Sequence, residues 1–337
     1  MKILGIETSC DECSAALVDN GKTILSHIVA SQNEFHKPFY GVVPEIASRK
    51  HIEWITATVQ ACLKEAGLSI NKVEAVAATY RPGLIGSLLV GLSFAKGLCL
   101  AQEIPLIGVD HIMAHLYAPH LEQDIAFPYI GLLLSGGHTI IAKVRGHDEM
   151  DVLGTTIDDA CGEAFDKVAK FYDLGYPGGT AIDKLARKGN PAAFRFPNPS
   201  LHKGNHRYDI SYSGLKTAAV NQLDLFWDGQ SERSPENIAA SFQKTAIDII
   251  VNRVIIAARD TGINTIVAGG GVSANSYLRK TLASYKELKV IFPSPSLCTD
   301  NAAMVAGLAY HLYQKGKISP LTLNAQPRVP GFRKFYP

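Results

Sequence analysis

The feature that most narrows what this chain can fold into is an echo in the order of its elements. Two β-hairpins with glycine or hydroxyl tips, Ile3–Asp19 and Ile130–Val144, each open a similar run. Apolar alternation predicts strands 2–8 and 13–19 and, after the Asn20-Gly21 turn, strand 23–30. Helix 43–66, strand 73–79, helix 84–103, strand 105–110 and a helix from His111 follow. The second run reads as strands 128–134, 138–145 and 149–155, then a longer helical stretch 159–261. Strand 264–269, helix 273–286, strand 289–292 and a helix from Thr299 complete it. Three consecutive strands followed by alternating helices and strands argue for a mixed sheet with helices on both faces.

Doubling that unit predicts an α/β chain with a duplicated ribonuclease-H-like fold, the two-lobed architecture of actin, hexokinase and the heat-shock ATPases, with a cleft between lobes. The expected first lobe is 1–125 plus 300–325. The second is 126–299, with a helical insertion at about 159–261. The chain has 337 residues, 47% of them hydrophobic, which is room for roughly two domains. No disulfide staple is needed at that size, and cysteines 10, 13, 62, 99, 161 and 298 fit a reducing compartment.

The N-terminus meets Glu7 before an export core could form, so a cytoplasmic address is expected. Leu84–Ala101 is about as long as the shortest membrane span, but Lys96 and two serines interrupt it, and it reads as a buried α/β helix. A net charge of +2 argues against a general nucleic-acid coat, though not against a local basic patch. The tail Lys315–Lys334 carries Lys317, Arg328 and Arg333, with Phe332, Phe335 and Tyr336 nearby, and reads as a solvated end.

Chemistry is expected in the loops. Strand 128–134 runs into Ser135-Gly136-Gly137-His138-Thr139, where adjacent glycines let backbone N–H groups approach phosphate or a carbonyl; an ordinary tight hairpin is the alternative. The matching tip, Glu7-Thr8-Ser9-Cys10-Asp11-Glu12, adds carboxylates. Ala268-Gly269-Gly270-Gly271-Val272-Ser273-Ala274-Asn275 is a glycine-rich strand-to-helix turn that is neither a Walker A nor a dinucleotide fingerprint, and capping is the simplest use of Asn275. Tyr176-Pro177-Gly178-Gly179 is either a plain turn with Asp183 solvated or a site where Asp166 and Asp183 accept hydrogen bonds from sugar or amino-acid hydroxyls.

His111 and His115 stand at i and i+4, which puts both rings on one helix face at a spacing that suits one metal ion. The sequence between them lacks the glutamate of H-E-x-x-H, so peptidase chemistry is disfavoured. Superposing the halves places Thr299-Asp300-Asn301 at the equivalent helix start, and facing lobes would then bring Asp300 across the cleft to both histidines. Two histidines and a carboxylate leave coordination positions open, a pattern that suits Fe(II), or Zn(II) with a water. Cys10 and Cys13 form a single C-x-x-C in a hairpin, poorly placed for redox or structural zinc.

The chain resembles the tRNA threonylcarbamoyladenosine transferases, the TsaD family. The resemblance rests on ETSCDE (7–12), YGVVPEIASRKH (40–51), PGLIGSLLVGLSFAKGL (82–98) and DHIMAHLYAP (110–119). It continues through LLLSGGHT (132–139), IDDACGEAFDKVAK (157–170), YPGG (176–179), SYSGLKTA (211–218), AGGGVSAN (268–275) and CTDNAAM (298–304). It implies transfer of a threonylcarbamoyl group from threonylcarbamoyl-adenylate to N6 of the adenosine beside the anticodon of tRNAs decoding A-starting codons.

By that resemblance His111, His115 and Asp300 hold one divalent metal per subunit, Fe(II) favoured over Zn(II). Leu134, Ser135, Gly136, Gly137 and His138 hold the acyl-adenylate. Asp166, Gly179, Asp183 and Asn275 meet its threonyl and nucleoside parts, and Glu12, with Asp11 beside it, is the catalytic carboxylate position. Implied partners are tRNA, an inactive paralogue (TsaB-like), a small ATPase (TsaE-like) and the synthase that supplies the adenylate, without a membrane. Three positions depart from the family pattern: Cys13 stands for threonine, Arg81 for glycine and Cys161 for alanine. Arginine at 81 would be strained if that site needs a positive φ, and otherwise adds a basic contact. A sugar- or acetate-type kinase of the same fold, or a nucleotide-gated scaffold, are the alternatives; helices 43–66 and 84–103 offer an association surface.

Overall fold

The computed structural model describes residues 1–198 and 206–329. The first run folds as β1 (Lys2–Glu7), β2 (Glu12–Asp19), β3 (Thr23–Ser31), α1 (Asn33–His36), α2 (Pro44–Glu65), β4 (Ala75–Arg81), α3 (Ile85–Gln102), β5 (Leu106–Asp110) and α4 (His111–Tyr117). The second comprises β6 (Tyr129–Leu134), β7 (Thr139–Gly146), β8 (Glu149–Thr155), α5 (Cys161–Phe171), α6 (Gly178–Ala186), α7 (Ser213–Asn221), α8 (Leu223–Phe226), α9 (Pro235–Thr261), β9 (Thr265–Gly269), α10 (Ser276–Ala283) and β10 (Lys289–Ile291). Helix α11 (Ala302–Gln314) follows.

The two sheets have one topology. Their strand orders are β3-β2-β1-β4-β5 and β10-β9-β6-β7-β8, and reading the second backwards puts each strand at its counterpart's place. In both, an antiparallel hairpin (β1–β2, β6–β7) is extended by a parallel strand (β4, β9). This is the duplicated ribonuclease-H-like fold. The chain divides into two compact units: Met1–Ala126 with Gly146–Glu149 and the described residues from Pro293 onward, and Phe127–Arg145 with Met150–Phe292.

In the first unit the pleat sorts side chains to two cores. Ile3, Ala16, Val18, Ala75 and Ala77 face α4 and α11, whereas Leu4, Ile6, Ala15, Leu17, Val76 and Ala78 face α2 and α3. Gly5 is what admits α11: a Cβ there would stand 2.3 Å from the Ala302 carbonyl oxygen. The tight β2–β3 turn uses positive φ at Asn20 (51°) and Gly21 (74°), the primed geometry that matches strand twist.

Four expectations are corrected. The stretch 159–261 is not continuous: among the described residues it forms five helices, interrupted where Pro177, Gly189-Asn190-Pro191 and Gly229 (φ 79°) punctuate it. Helix 273–286 is shorter, because Gly271–Ala274 is a 3-10 turn and α10 starts only after Asn275. Strand 73–79 runs instead from Ala75 to Arg81. Helix α3 is buried on one face only, through Ser87, Leu88, Gly91, Leu92, Ala95 and Cys99. Its other side leaves Ile85, Leu89 and Leu100 exposed at 46%, 47% and 70%. α3 is the one helix, among the described residues, long and apolar enough to cross a membrane. Of the basic tail, Lys315 and Lys317 pair with Asp148, while Phe332, Arg333, Lys334, Phe335 and Tyr336 lie outside the described residues.

Candidate functional site

Strand β5 ends at Asp110, whose carboxylate caps the next helix: Oδ1 accepts from the Ile112 and Met113 N–H groups at 3.0 and 3.2 Å. That cap turns the chain into α4 and sets His111 and His115 on the inner side of the helix, both buried. Their rings meet edge to face with centroids 4.5 Å apart. Asp300 sits just before α11, whose start is fixed twice. Asn301 caps it by accepting from the Met304 N–H, and the Ala302 N–H donates to Ser14 Oγ on β2.

Asp300 Oδ1 then lies 2.9 Å from His115 Nε2 and 3.5 Å from His111 Nε2. All three residues belong to the first unit, so Asp300 does not cross between lobes as the superposition supposed; packing of α11 on β1, permitted by Gly5, delivers it. The ligand atoms of the three lie within 4.8 Å of one another. Donors bonded to one ion at about 2.0–2.2 Å stand roughly 3.0–3.5 Å apart, so the two nitrogens and the carboxylate oxygen fit one divalent cation. His115 turns Nε2 to Asp300, while its Nδ1 is buried without a hydrogen-bond partner.

Sequence reasoning missed the group behind His111. Glu7, fully buried at the end of β1, accepts from the Ser9 N–H through Oε1 at 2.6 Å. Its Oε2 accepts from Thr79 Oγ1 and lies 3.1 Å from His111 Nδ1. A carboxylate on the far ring nitrogen holds a proton on Nδ1, so Nε2 is the nitrogen that would give up its proton to an ion, the arrangement metal-ligating histidines usually show. Burial opposes the His111 imidazolium, but Asp300 and Glu7 outweigh it and raise the ring to about 9. Burial and the neighbouring His111 push His115 down. A glutamate ending an apolar strand one residue before a tip was the available signal.

Asp11 is buried in the tip, and beside it Glu12 is held well above the usual carboxylate range by burial, then by Asp11 and Asp300. Crowding of this many carboxylates in one low-dielectric place is what a cation offsets. Arg81 is unstrained. It is the last residue of β4, pairs in register with Asp110, and has no positive φ. Its Nε donates to Asp110 Oδ2 at 3.0 Å, so the departure at 81 is tied to the cap of the histidine helix. Cys13 is buried in β2 facing Thr58, and burial pushes its thiol up to about 11. Cys161 is buried beside Tyr212, with its thiol pushed up to about 12. Neither is a reactive thiolate.

The second unit gathers the other predicted residues around three glycine turns. Leu134 is buried, and its carbonyl approaches Gly270 so closely that a Cβ there would lie 2.4 Å away; Gly270 also holds φ at 85°. At the β6–β7 tip, the Ser135 N–H donates to the His138 carbonyl at 2.8 Å and the His138 N–H to Ser135 Oγ at 3.0 Å. Gly136 and Gly137 are exposed, have no positive φ, and would place a Cβ in open space. Neither backbone strain nor packing demands glycine there.

Asp166 Oδ1 accepts from the Gly178 N–H at 2.8 Å, and Gly179 beside it is open. Asp183 is buried rather than solvated, its Oδ1 accepting from the Ser276 N–H and Oγ and its Oδ2 from Arg187. Asn275 does cap α10, accepting from the Leu278 N–H at 3.0 Å, while its Nδ2 donates to Gln243.

Comparison with known proteins joins these observations. Residues 23–307 match the model of the family TsaD, described as tRNA N6-adenosine threonylcarbamoyltransferase. A protein of that description from Treponema denticola is 62% identical over 99% of both chains. One from Treponema pallidum (strain Nichols) is 51% identical, over 99% of this chain and 95% of its own. Among solved structures, the (R)-2-hydroxyglutaryl-CoA dehydratase component A of Acidaminococcus fermentans aligns with a TM-score of 0.56 at 15% identity, over 94% of this chain and 98% of its own. Full-length HypF aligns at 0.62 and 15%, over 94% and 47%. At such identities these two neighbours speak for the fold alone.

Proposed function

The chain belongs to the tRNA N6-adenosine threonylcarbamoyltransferase family, and on that premise we propose that it transfers threonylcarbamoyl from threonylcarbamoyl-adenylate to N6 of the adenosine next to the anticodon in tRNAs that decode A-starting codons. Family membership sets aside the kinase and scaffold alternatives. The observation that carries the reading is the convergence of His111, His115 and Asp300 beside the Asp11–Glu12 tip, in a chain that aligns with the family over nearly its whole length.

The donor is a mixed anhydride of a carbamate and a phosphate, already activated, so no covalent enzyme intermediate is needed. The exocyclic amine adds to the carbamoyl carbon; a C–N bond forms, the C–O bond to phosphate breaks, and AMP departs with the electron pair. The chain's residues position and neutralise charge. Ser135, Gly136, Gly137 and His138 receive the phosphate and acyl group through N–H donors, over a floor set by Leu134. Asp166, Gly179, Asp183 and Asn275 take the threonyl and nucleoside hydroxyls. The Asp11–Glu12 pair accepts the proton that the amine releases. A divalent ion held by His111, His115 and Asp300, Fe(II) in preference to Zn(II), would supply a Lewis acid for the leaving or transferred oxygens. The target adenine lies in a single-stranded loop, so exposing it costs less than flipping it from a duplex.

The exposed Ile85 and Leu89 of α3, with Ile52 of α2 at 65% exposure, suit an inactive paralogue docking on those two helices. The small ATPase and the adenylate synthase complete a cytoplasmic system. The test is transfer of labelled threonylcarbamoyl to unmodified tRNA by purified protein with these partners. Incorporation that chelator abolishes is expected; no incorporation in the presence of metal and all partners rejects the reading.

A further inference from the structure

The motif YGVVPEIASRKH ends in a histidine that the chemistry above does not use. His51, on α2, is completely buried, as are Gln32 and His36 on and before α1. Their hydrogen bonds form a chain whose direction is fixed at both ends. The Val43 N–H can only donate, and it lies 3.3 Å from His36 Nδ1, which is therefore an acceptor. A neutral His36 then carries its proton on Nε2, 3.3 Å from Gln32 Oε1. The Gln32 amide nitrogen, thus oriented, donates to Ala47 O and toward His51 Nδ1, each at 3.4 Å. At the other end His51 Nε2 lies 2.9 Å from the Cys10 carbonyl, which can only accept. The Gln32 nitrogen is also 3.5 Å from His51 Nε2, so the Cys10 carbonyl is what assigns the proton of His51 to Nε2, as the Val43 N–H does for His36. Burial lowers both histidines, with Asp11 opposing it at each ring, Glu7 also opposing it at His51, and His36 adding to it there.

The chain ends on the tip that carries Asp11 and Glu12. Beside it the Gln32 N–H donates to the Asp11 carbonyl at 3.1 Å. Two successive carbonyls of the tip, those of Cys10 and Asp11, are thus each held by one hydrogen bond, from His51 and from the Gln32 backbone. The Asp11 bond continues the β2–β3 ladder one residue past Glu12 and Ser31, whereas the Cys10 carbonyl lies beyond the ladder and depends on His51; an unpaired buried carbonyl is costly.

We infer that His51 is a positioning residue for the acidic tip: its Nε2–H, aligned by Gln32 and His36, holds the Cys10 carbonyl so that Asp11 and Glu12 point at the reacting group. This role rests on the proposed transfer reaction, and two substitutions of similar polarity separate it from simple core filling. In His51→Gln the side-chain amide nitrogen reaches the place of Nε2 and can still donate to Cys10. In His51→Asn it stands nearer Nδ1, and the carbonyl loses its donor.

The expected result is kcat within about threefold of wild type for His51→Gln, and a loss of tenfold or more for His51→Asn. KM for the acyl-adenylate and the dissociation constant for Zn(II) should stay within twofold in both. Amide hydrogen exchange of a peptide covering residues 8–12 should speed up by tenfold or more in His51→Asn alone. Gln32→Met, which removes the aligning amide at similar volume, should shift kcat and tip exchange in the same direction. The inference is overturned if the Gln and Asn variants behave alike, or if kcat falls with tip exchange unchanged. Should wild-type protein transfer nothing, the reaction has failed rather than the positioning, and exchange at residues 8–12 still decides the latter.

Discussion

Replacing Glu7 by glutamine is the most informative single perturbation of the proposed metal site, because it keeps shape and removes one chemical property. Glu7 is fully buried and accepts at both oxygens, from the Ser9 N–H at 2.6 Å on Oε1 and from Thr79 and His111 on Oε2. A glutamine can present its carbonyl to only one of these sides. The Ser9 N–H is a fixed donor, so the carbonyl must face it and the amide NH2 must face Thr79 and His111. Thr79 can turn its hydroxyl to accept, but a metal-ready His111 keeps its proton on Nδ1, which would then meet the amide NH2 with only Ser9 Oγ, 3.2 Å away, left to accept it. Moving that proton to Nε2, the atom 3.5 Å from Asp300, relieves the clash. The substitution therefore favours a proton where the proposed ion would bind.

Outer-sphere partners of metal-bound histidines typically contribute 10–100-fold in affinity, about 1.4–2.7 kcal/mol at about 1.36 kcal/mol per decade. Competition against a chromophoric chelator, with Zn(II) and Mn(II) as probes, measures this on protein stripped of metal. A dissociation constant raised by that range, with thermal unfolding of the metal-free protein still cooperative, is expected. A value within twofold of wild type would refute the tautomer argument.

The first unit carries a second histidine group, His120, His147 and His311, packed with Tyr117; the His147 and His311 rings stack at 3.7 Å. Burial, then the neighbouring histidines, pushes His120 down to about 3, and burial with His311 and Lys315 pushes His147 down to about 4. Depressed histidines in the fold mean that the unfolded chain binds protons first as pH drops below about 6.5, so stability is full above that pH and declines toward pH 4. His120 alone implies roughly 3 kcal/mol lost by pH 4. Denaturant titrations should show that slope and His120→Gln should flatten it; parallel curves would count against the cause. Arg81→Ala frees Asp110 Oδ2 and should cost roughly 1 kcal/mol while weakening Zn(II) binding a few-fold, read by urea unfolding and chelator competition. No change in either would show the cap to be self-sufficient. Leu89→Asp, on the open side of α3, should leave thermal unfolding unaltered and abolish binding of the purified paralogue in calorimetry; retained binding would move the partner elsewhere.

The order of strands and helices was legible because strands of period two and the two hairpins recur in both halves, and the sheets do share one topology. The histidine pair was legible from its i, i+4 spacing. Other features were hidden for physical reasons. Glu7 reads as a polar strand end until Thr79, from a neighbouring strand, closes over it. Asp300 was expected to arrive across a cleft, whereas a glycine on β1 lets a late helix carry it into the same unit. The breaks within 159–261 follow prolines and glycines whose positions were visible, but apolar composition outweighed them. His120, His147 and His311 lie far apart in sequence with no motif, so only the packing of three separate segments reveals them.

Helix α11 closes the first unit from the far end of the described chain, and this has a consequence for biosynthesis. Strands β1–β5 and helix α4 leave the ribosome early, yet the docking of α11 on its surface, and the third donor, the carboxylate of Asp300, wait until the whole of Phe127–Phe292 has been translated. At about 5–20 residues per second that interval lasts roughly 10–30 s. During it the nascent first unit exposes Ile3, Val18, Ile107 and Val109, a sticky intermediate suited to chaperone capture. On the proposed metal site, insertion of an ion would correspondingly be a late, post-translational event, and chains released before Asp300 would lack one of its three ligands.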